Sequence, residues 1–164
     1  MDYAVKVREF AERAWSVTDP GALDTVGELA TPDAVFYVGS RPKVRALSEF
    51  QDLVRVIKRG QPDLRYEFLD LITQGTTVAA RLRFTGTHLG HLAGFVPPTG
   101  KLLSLTEMIV VRMNDQGLLT ELWQESDFHG LLIRAGAIPA PGTGPFGHLT
   151  HAVRTLARDL RRHP

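Results

Sequence analysis

A change in the spacing of apolar residues near residue 64 constrains the fold more than any other feature. Before it, apolar side chains recur every three or four residues, as on the buried side of a helix. After it they alternate with polar ones, as at Val78, Ala80 and Leu82, which is typical of a strand with one face on a core. Three helices followed by such strands predict an α+β fold, with the helices gathered on one face of an antiparallel sheet.

The predicted elements can be placed along the chain from their periodicity. The first helix carries an apolar stripe along residues 3–17, and a short second helix begins after Asp19, a suitable capping residue. A strand at residues 34–38 precedes a third helix at about 46–59. Long strands follow, and the longest two are joined by a loop rich in glycine and proline at residues 86–100.

Composition excludes several classes of protein. The 164 residues carry a formal net charge of +1, so no global field attracts nucleic acid or an anionic membrane. There are no cysteines, which excludes disulfides, thiolate nucleophiles and cysteine-ligated metals. The first twelve residues lack the apolar run of a signal peptide, and no uncharged run approaches the roughly 20 residues that span a bilayer. We therefore expect a cytoplasmic protein.

A glycine- and proline-rich segment divides the chain. Residues 1–139 are predicted to form one domain, and residues 140–147 a linker. Residues 148–164 are predicted to form a helix with leucine and valine on one side and arginine on the other. Because the whole chain is nearly neutral, we expect this helix to dock on its own domain or on a second subunit.

A predicted hairpin turn at residues 114–117 decides which side chains face each other on the last two strands. In a three-residue loop that ends at Gly117 in the left-handed conformation, Glu107 lies opposite Glu125. A four-residue loop shifts the register by one and places Glu107 opposite Gln124. We take the first register as the prediction.

In that register several carboxyl groups gather at one end of an apolar patch. Trp123, Glu125 and Asp127 share one face of the last strand, beside Glu107. Like charges in a poorly solvated place cannot all ionise, so one group holds its proton and another accepts one. Asp127 and Glu107 are therefore candidate catalytic residues and Glu125 a candidate substrate contact. For Glu121 we favour a solvated position beside arginine.

His88 and five aromatic residues complete the candidate site. His88 ends a strand at the mouth of the glycine-rich loop, where it either polarises a substrate oxygen or holds the turn. A metal site formed with His91 lacks a third ligand, so we predict no metal. The residues expected to line an apolar cavity for a flat hydrophobic substrate, unless they are plain core, are Trp15, Phe36, Tyr37, Phe50 and Trp123.

Over about its first 140 residues the chain resembles the SnoaL-like polyketide cyclase family, which has the nuclear-transport-factor-2-like fold. The three helices match that family in order and length, and the specific motifs lie only in the second half. The matching pieces are Gly86-Thr87-His88-x-Gly90, Gly94, Pro98-Thr99-Gly100-Lys101, Arg112, Trp123, Asp127, Gly130-Leu131-Leu132 and Gly136-Ala137-Ile138-Pro139. The resemblance implies a cone-shaped curved antiparallel sheet, with three N-terminal helices on its concave face and an apolar cavity. It also implies a homodimer or homotetramer.

The resemblance further implies ring closure in polyketide biosynthesis by aldol chemistry, without a metal or cofactor. It favours Asp127 as the acid/base group, but Gln124 stands where the family often has Asp, which leaves the identity of that group open. Two more departures, Leu118 for the usual Lys and Arg134-Ala135 for Gln-Leu, look peripheral. The alternatives are an epoxide hydrolase or hydroxylase on the same scaffold, and a non-catalytic binding or dimerisation module.

Overall fold

The computed structural model describes residues 1–38, 41–44, 46–92, 96–144, 147 and 150. The helices are α1 (Tyr3–Trp15), a 3₁₀ helix (Pro20–Glu28), α2 (Leu47–Gly60) and α3 (Phe128–Ala135). The strands are β1 (Ala30–Val38), β2 (Arg41–Val44), β3 (Arg65–Gln74), β4 (Thr77–Thr87), β5 (Leu102–Met113) and β6 (Leu119–Ser126). Gly94 and, apart from Thr150, the helix predicted at residues 148–164 lie outside the described residues.

The six described strands form one curved, open sheet in the order β2-β1-β6-β5-β4-β3. The α+β class and the helix-covered curved sheet are confirmed. The expectation of a wholly antiparallel sheet is wrong at one place, because β1 runs parallel to β6. Two parallel neighbouring strands need a long connection, and here the chain from β2 to β5 connects β1 to β6. The short strand β2 was not predicted from the sequence.

The helices cover one face of the sheet, which we call the inner face. Val78, Ala80, Leu82 and Phe84 of β4 point toward it and are buried, as their alternation predicted. Helices α1 and α2 place Phe10 and Phe50 on the same core. We call the opposite side, which no described helix covers, the outer face. No described helix is both long enough and apolar enough to cross a bilayer.

A bulge in β6 changes which residues reach the inner face. The predicted three-residue turn is confirmed, since Asn114 N donates to Leu118 O at 3.0 Å and Gly117 has φ 78°. Met113 then pairs with Leu119, but Arg112 pairs with Glu121, so Thr120 is the extra residue. One inserted residue turns every later side chain of β6 to the opposite face of the sheet. The predicted pairing of β5 with β6 is therefore wrong from Glu121 onward.

Candidate active site

A cavity lies between α1, α2 and the inner face of β4, β5 and β6. Its apolar lining is Val7, Phe10, Ala11, Trp15, Phe50, Leu82, Phe84, Ile109, Val111, Leu119 and Leu122. The polar side chains that reach it are Glu107 and Gln124. A cavity with apolar walls and few convergent polar groups is the usual form of a small-molecule site.

The cavity is narrow in this conformation. The space between the lining atoms is about 480 Å³ when its open mouth is included, but the centre of a water-sized sphere reaches only about 40 Å³. Water can occupy this space, whereas a ring-sized substrate enters only if lining side chains move.

Glu107 is the ionisable group of this cavity. Its side chain is buried, with 8% of the residue exposed, and Oε1 accepts a hydrogen bond of 2.7 Å from Gln124 Nε2. Burial raises the pKa of Glu107 to about 7, although the bond from Gln124 acts in the opposite direction. Near neutral pH the group therefore exists in both protonation states, which suits it to donate and to accept a proton.

The sequence predicted Glu107 in the site but missed Gln124. Alternation along β5 turns Glu107 inward together with Ile109 and Val111. Gln124 faces inward only because of the bulge at Thr120, and it pairs with Ile109 across the strands. Two signals pointed to it: its place where the family often has Asp, and the alternative register that set it beside Glu107.

Asp127 lies outside the cavity, at the start of α3. Its Oδ1 accepts from Gly130 N at 3.0 Å and its Oδ2 accepts from Arg134 at 3.2 Å, while 54% of the side chain is exposed. The bond from the Gly130 backbone, followed by that from Arg134, lowers the pKa of Asp127. The prediction that Asp127 projects into a dry hollow is wrong, because β6 ends at Ser126 and this side chain caps the helix instead.

Trp123, Glu125 and Tyr37 lie on the outer face, so the prediction that they line the cavity is wrong. The bulge turns Trp123 and Glu125 away from Glu107, which pairs with Ser126. Trp123 stacks on Tyr37 with ring centroids 4.0 Å apart. Glu121 accepts a 2.9 Å bond from Arg112 on the same side, as the favoured interpretation held.

His88 is fully buried in the described structure but does not line the cavity. Its Nδ1 lies 3.0 Å from Thr99 Oγ1, its backbone N donates to Lys101 O, and its backbone O accepts from Gly100 N. These contacts favour the alternative in which His88 holds the glycine-rich loop. A catalytic role for His88 has no geometric support at this cavity.

Of the remaining aromatic candidates, two line the cavity and one belongs to the hydrophobic core behind it. Trp15 and Phe50 line the cavity, with Trp15 edge-on to Phe84 at 4.9 Å between centroids. Phe36 lies behind this layer and stacks on Phe50 at 4.4 Å, so it is core and not cavity wall. Within the described ranges, no three His, Asp or Glu side chains are grouped as a metal ion would require.

Comparison with protein families gives one match. The model described as SnoaL-like polyketide cyclase matches residues 5–133. That stretch contains most of α1, the whole described sheet and the cavity with Glu107 and Gln124. A search of curated protein sequences found no significant match.

Solved structures similar to this chain include two from Streptomyces. AclR, a putative hydroxylase from Streptomyces galilaeus, is 26% identical with a TM-score of 0.69, covering 84% of this chain and 100% of AclR. IdmH, a putative polyketide cyclase from Streptomyces antibioticus, is 27% identical with a TM-score of 0.69, covering 83% and 99%. A putative SnoaL-like cyclase from Jannaschia sp. CCS1, at 23% identity, TM-score 0.74 and coverage of 84% and 93%, shares the fold.

Proposed function

The chain belongs to the SnoaL-like polyketide cyclase family, and from that premise we propose that it closes a ring in a polyketide-like intermediate, with Glu107 as the acid/base group and no cofactor. One observation carries the proposal. Glu107 is a buried carboxyl group in an apolar cavity, with a pKa of about 7. That pKa lets one residue serve as base and then as acid at neutral pH.

The proposed reaction is an intramolecular aldol closure. The ionised Glu107 takes a proton from the carbon next to a substrate carbonyl, which leaves an enolate. The enolate carbon forms a bond with the carbon of a second carbonyl in the same molecule, and the oxygen of that carbonyl becomes an alkoxide. Glu107 returns its proton to the alkoxide, so the enzyme ends in its starting state.

The rest of the cavity supports these steps. Gln124 Nε2 uses one N–H to bind Glu107, and its second N–H is available to a substrate oxygen as negative charge develops. No cation is among the described lining residues, so hydrogen bonds stabilise the enolate without a positive charge. Apolar walls favour a hydrophobic substrate and hold its carbonyls in attack geometry once the lining side chains have moved apart.

Proton exchange tests this role without knowledge of the natural substrate. Cyclohexanone and 2-tetralone are neutral apolar ketones of two sizes, and deuterium uptake beside their carbonyls in D₂O is measured by NMR. We expect the protein to accelerate uptake above the spontaneous rate. Glu107→Gln should lose this acceleration by roughly 100-fold or more, the usual contribution of a general base.

Two matched variants serve as controls. Glu67→Gln makes the same chemical change at an exposed side chain paired with Arg83 and should leave exchange unchanged. Asp127→Asn should also retain exchange, because Asp127 lies outside the cavity. Exchange that persists in Glu107→Gln, or that is lost in a folded Asp127→Asn, contradicts the assignment. A wild-type protein with no acceleration for either ketone supports a binding module instead.

The narrow cavity favours a second candidate, the activation of water. A water molecule beside Glu107 fits the available 40 Å³, and the similar AclR is described as a putative hydroxylase. In an epoxide opening, Glu107 takes a proton from water as the water oxygen bonds to carbon and the ring C–O bond breaks, and Glu107 then returns that proton to the freed epoxide oxygen. Turnover of styrene oxide in H₂¹⁸O, with a diol two mass units heavier that Glu107→Gln fails to form, distinguishes this reaction from cyclisation.

A further inference from the structure

Ser126, the last residue of β6, lies beside Glu107 on the inner face. The bulge at Thr120 turns Ser126 inward, and Ser126 and Glu107 are directly opposite each other across the two strands. Because Asp127 N donates to Thr106 O at 3.2 Å, the next pair, Glu107 with Ser126, exchanges no backbone hydrogen bonds. Opposite side chains lie closest in such a pair, with Cβ atoms about 5 Å apart. Ser126 therefore adjoins the ionisable group of the site.

The hydroxyl group of Ser126 is available to a ligand. The residue is half-buried, and its Oγ has no hydrogen-bond partner in the part of the chain that the structure describes. The lining of the narrow cavity includes Glu107 and Gln124 but not Ser126. A substrate that extends past Glu107 along β6 therefore meets one more donor, which the narrow cavity by itself does not offer.

Gln124 and Ser126 together place two donors next to one carboxyl group. They are two residues apart on the same face of β6, so their Cβ atoms lie about 7 Å apart. Gln124 Nε2 donates one N–H to Glu107 Oε1 at 2.7 Å and keeps a second N–H. Ser126 offers its O–H. Two donors at this spacing suit two carbonyl oxygens attached on either side of one carbon.

The charges around the cavity favour a substrate with two such carbonyl groups. No cation is among the described lining residues, so hydrogen bonds have to stabilise an enolate. A carboxylate is a weak base for a proton next to a single ketone. A proton on a carbon between two carbonyl groups is far more acidic, because two oxygens share the negative charge that its removal leaves.

We propose that Ser126 is a specificity-determining residue that binds the second carbonyl oxygen of a 1,3-dicarbonyl substrate, while Gln124 binds the first. Since Glu107 is the base in the proposed function, on which this assignment rests, it takes the proton from the carbon between the carbonyls. The electron pair of that C–H bond enters the enolate, whose two oxygens accept from Gln124 and Ser126. The same carbon then forms the new C–C bond, and Glu107 returns its proton to the alkoxide.

Deuterium exchange with two related ketones tests this specificity. Ethyl 2-oxocyclohexanecarboxylate adds an ester carbonyl to the ring of cyclohexanone, which places one carbon between two carbonyl groups. We expect the wild type to exchange the β-keto ester with the higher kcat/KM, after the spontaneous rates are subtracted. Ser126→Ala should lower that kcat/KM by about tenfold, the usual cost of one hydrogen bond to a charged group. It should leave the exchange of cyclohexanone unchanged.

Two further variants separate the hydroxyl group from a structural effect. Ser126→Thr keeps a hydroxyl group in a strand, and it should retain the preference for the β-keto ester. Ser104→Ala makes the same change as Ser126→Ala on the outer face of β5, beside the buried Leu103, and should leave both exchange rates unchanged. A Ser104→Ala variant that lowers exchange as much as Ser126→Ala would overturn the assignment.

Binding of an unreactive 1,3-dicarbonyl distinguishes this role from that of the base. Ethyl 1-methyl-2-oxocyclohexanecarboxylate has no proton between its carbonyls, and 2-methylcyclohexanone lacks the ester. In isothermal titration calorimetry the wild type should bind the dicarbonyl more tightly than the ketone, and Ser126→Ala should lose about tenfold in affinity for the dicarbonyl alone.

The outcomes separate the two proposals. Exchange that Glu107→Gln abolishes but Ser126→Ala leaves intact keeps the base and overturns the role of Ser126. A wild type that prefers the dicarbonyl through Ser126 but exchanges neither compound keeps the role of Ser126 in binding and overturns the base. A dicarbonyl that fails to bind, or that binds Ser126→Ala as tightly as the wild type, overturns the role of Ser126.

Discussion

The two faces of β5 and β6 show how one pair of strands creates two chemical environments. On the inner face, Glu107 and Gln124 stand among apolar side chains under α1 and α2. On the outer face, the next residues along the same strands include Met108, Trp123 and Glu125, which are exposed. Residue type alone therefore does not identify a site. The helices α1 and α2, which cover the inner face, determine which carboxyl group is removed from solvent.

Glu107 and Asp127 are both carboxylic acids, but their surroundings shift their pKa values in opposite directions. Burial raises the pKa of Glu107 to about 7, whereas the bonds from the Gly130 backbone and Arg134 lower the pKa of Asp127. Asp127 therefore remains ionised at neutral pH and stabilises a helix terminus. Glu107 changes its charge there, at the cost of some folding stability.

The largest effect concerns the pH dependence of stability. Below about pH 4.5 Glu107 holds its proton in both the folded and the unfolded protein. Between pH 4.5 and about 7 only the folded protein keeps it, so the free energy of unfolding falls as pH rises. The loss should reach about 3 kcal/mol by pH 8. Urea unfolding at pH 4 and pH 8 should show this loss in the wild type and not in Glu107→Gln. Equal losses in both would contradict the buried position.

Substitution of two neighbouring valines in β5 compares the stability contributions of the inner and outer faces directly. Val111 is 1% exposed and Val110 is 39% exposed, and both lie in β5. Val111→Ala should lower the free energy of unfolding by about 2–3 kcal/mol, since it removes buried methyl groups and leaves a cavity. Val110→Ala should cost much less when urea unfolding is measured on monomeric protein. Similar losses for the two variants would show that the faces are not distinguished by burial.

The helix cap at Asp127 gives a smaller effect. Asp127→Ala removes the acceptor for Gly130 N, and the melting temperature should fall by roughly 2–4 °C. Asp2→Ala removes the corresponding cap of α1, where Asp2 accepts from Ala4 N and Val5 N, and should act similarly. Differential scanning calorimetry measures both. Neither variant should change ketone exchange, and a loss of exchange in Asp127→Ala alone would return Asp127 to the mechanism.

The smallest effect concerns the amide beside Glu107. The bond from Gln124 lowers the pKa of Glu107, so Gln124→Leu should move that pKa further upward. The titration of the Glu107 carboxyl carbon, followed by ¹³C NMR, measures the shift. Gln116→Leu makes the same change in the exposed turn and should leave the pKa of Glu107 unchanged. A downward shift in Gln124→Leu would show that the bond does not stabilise the charged form.

Much of the fold could be predicted from local pattern. The period of two along β4 and β5, and the residues that stop each helix, gave the strand limits and the end of α3 at Gly136. Gly136 adopts φ 77°, which the end of a helix commonly requires. The pairing of β1 with β6 could not be predicted in the same way. These strands are about eighty residues apart in sequence, and no local pattern records that they meet.

The site was predictable only as far as the pattern continued without interruption. Glu107 follows the regular alternation of β5, so its inward direction was determined by the sequence. Gln124, Trp123 and Glu125 follow the bulge at Thr120, which reverses the faces of β6. A prediction from periodicity assumes that successive residues of a strand point to alternate faces. A bulge breaks this alternation, and the residue types in the strand do not reveal it.

The local residue pattern was therefore sufficient to predict the helices, the long strands, the turn at Gly117 and an inward-facing carboxyl group at position 107. Contacts formed in the folded chain were needed to show that Gln124 is its partner, that Asp127 caps a helix, and that Trp123 faces outward. These features could not be read from local pattern because side-chain direction and solvation depend on contacts between segments far apart in the chain. Local propensity sets where a strand lies, but packing decides which of its carboxyl groups is removed from water.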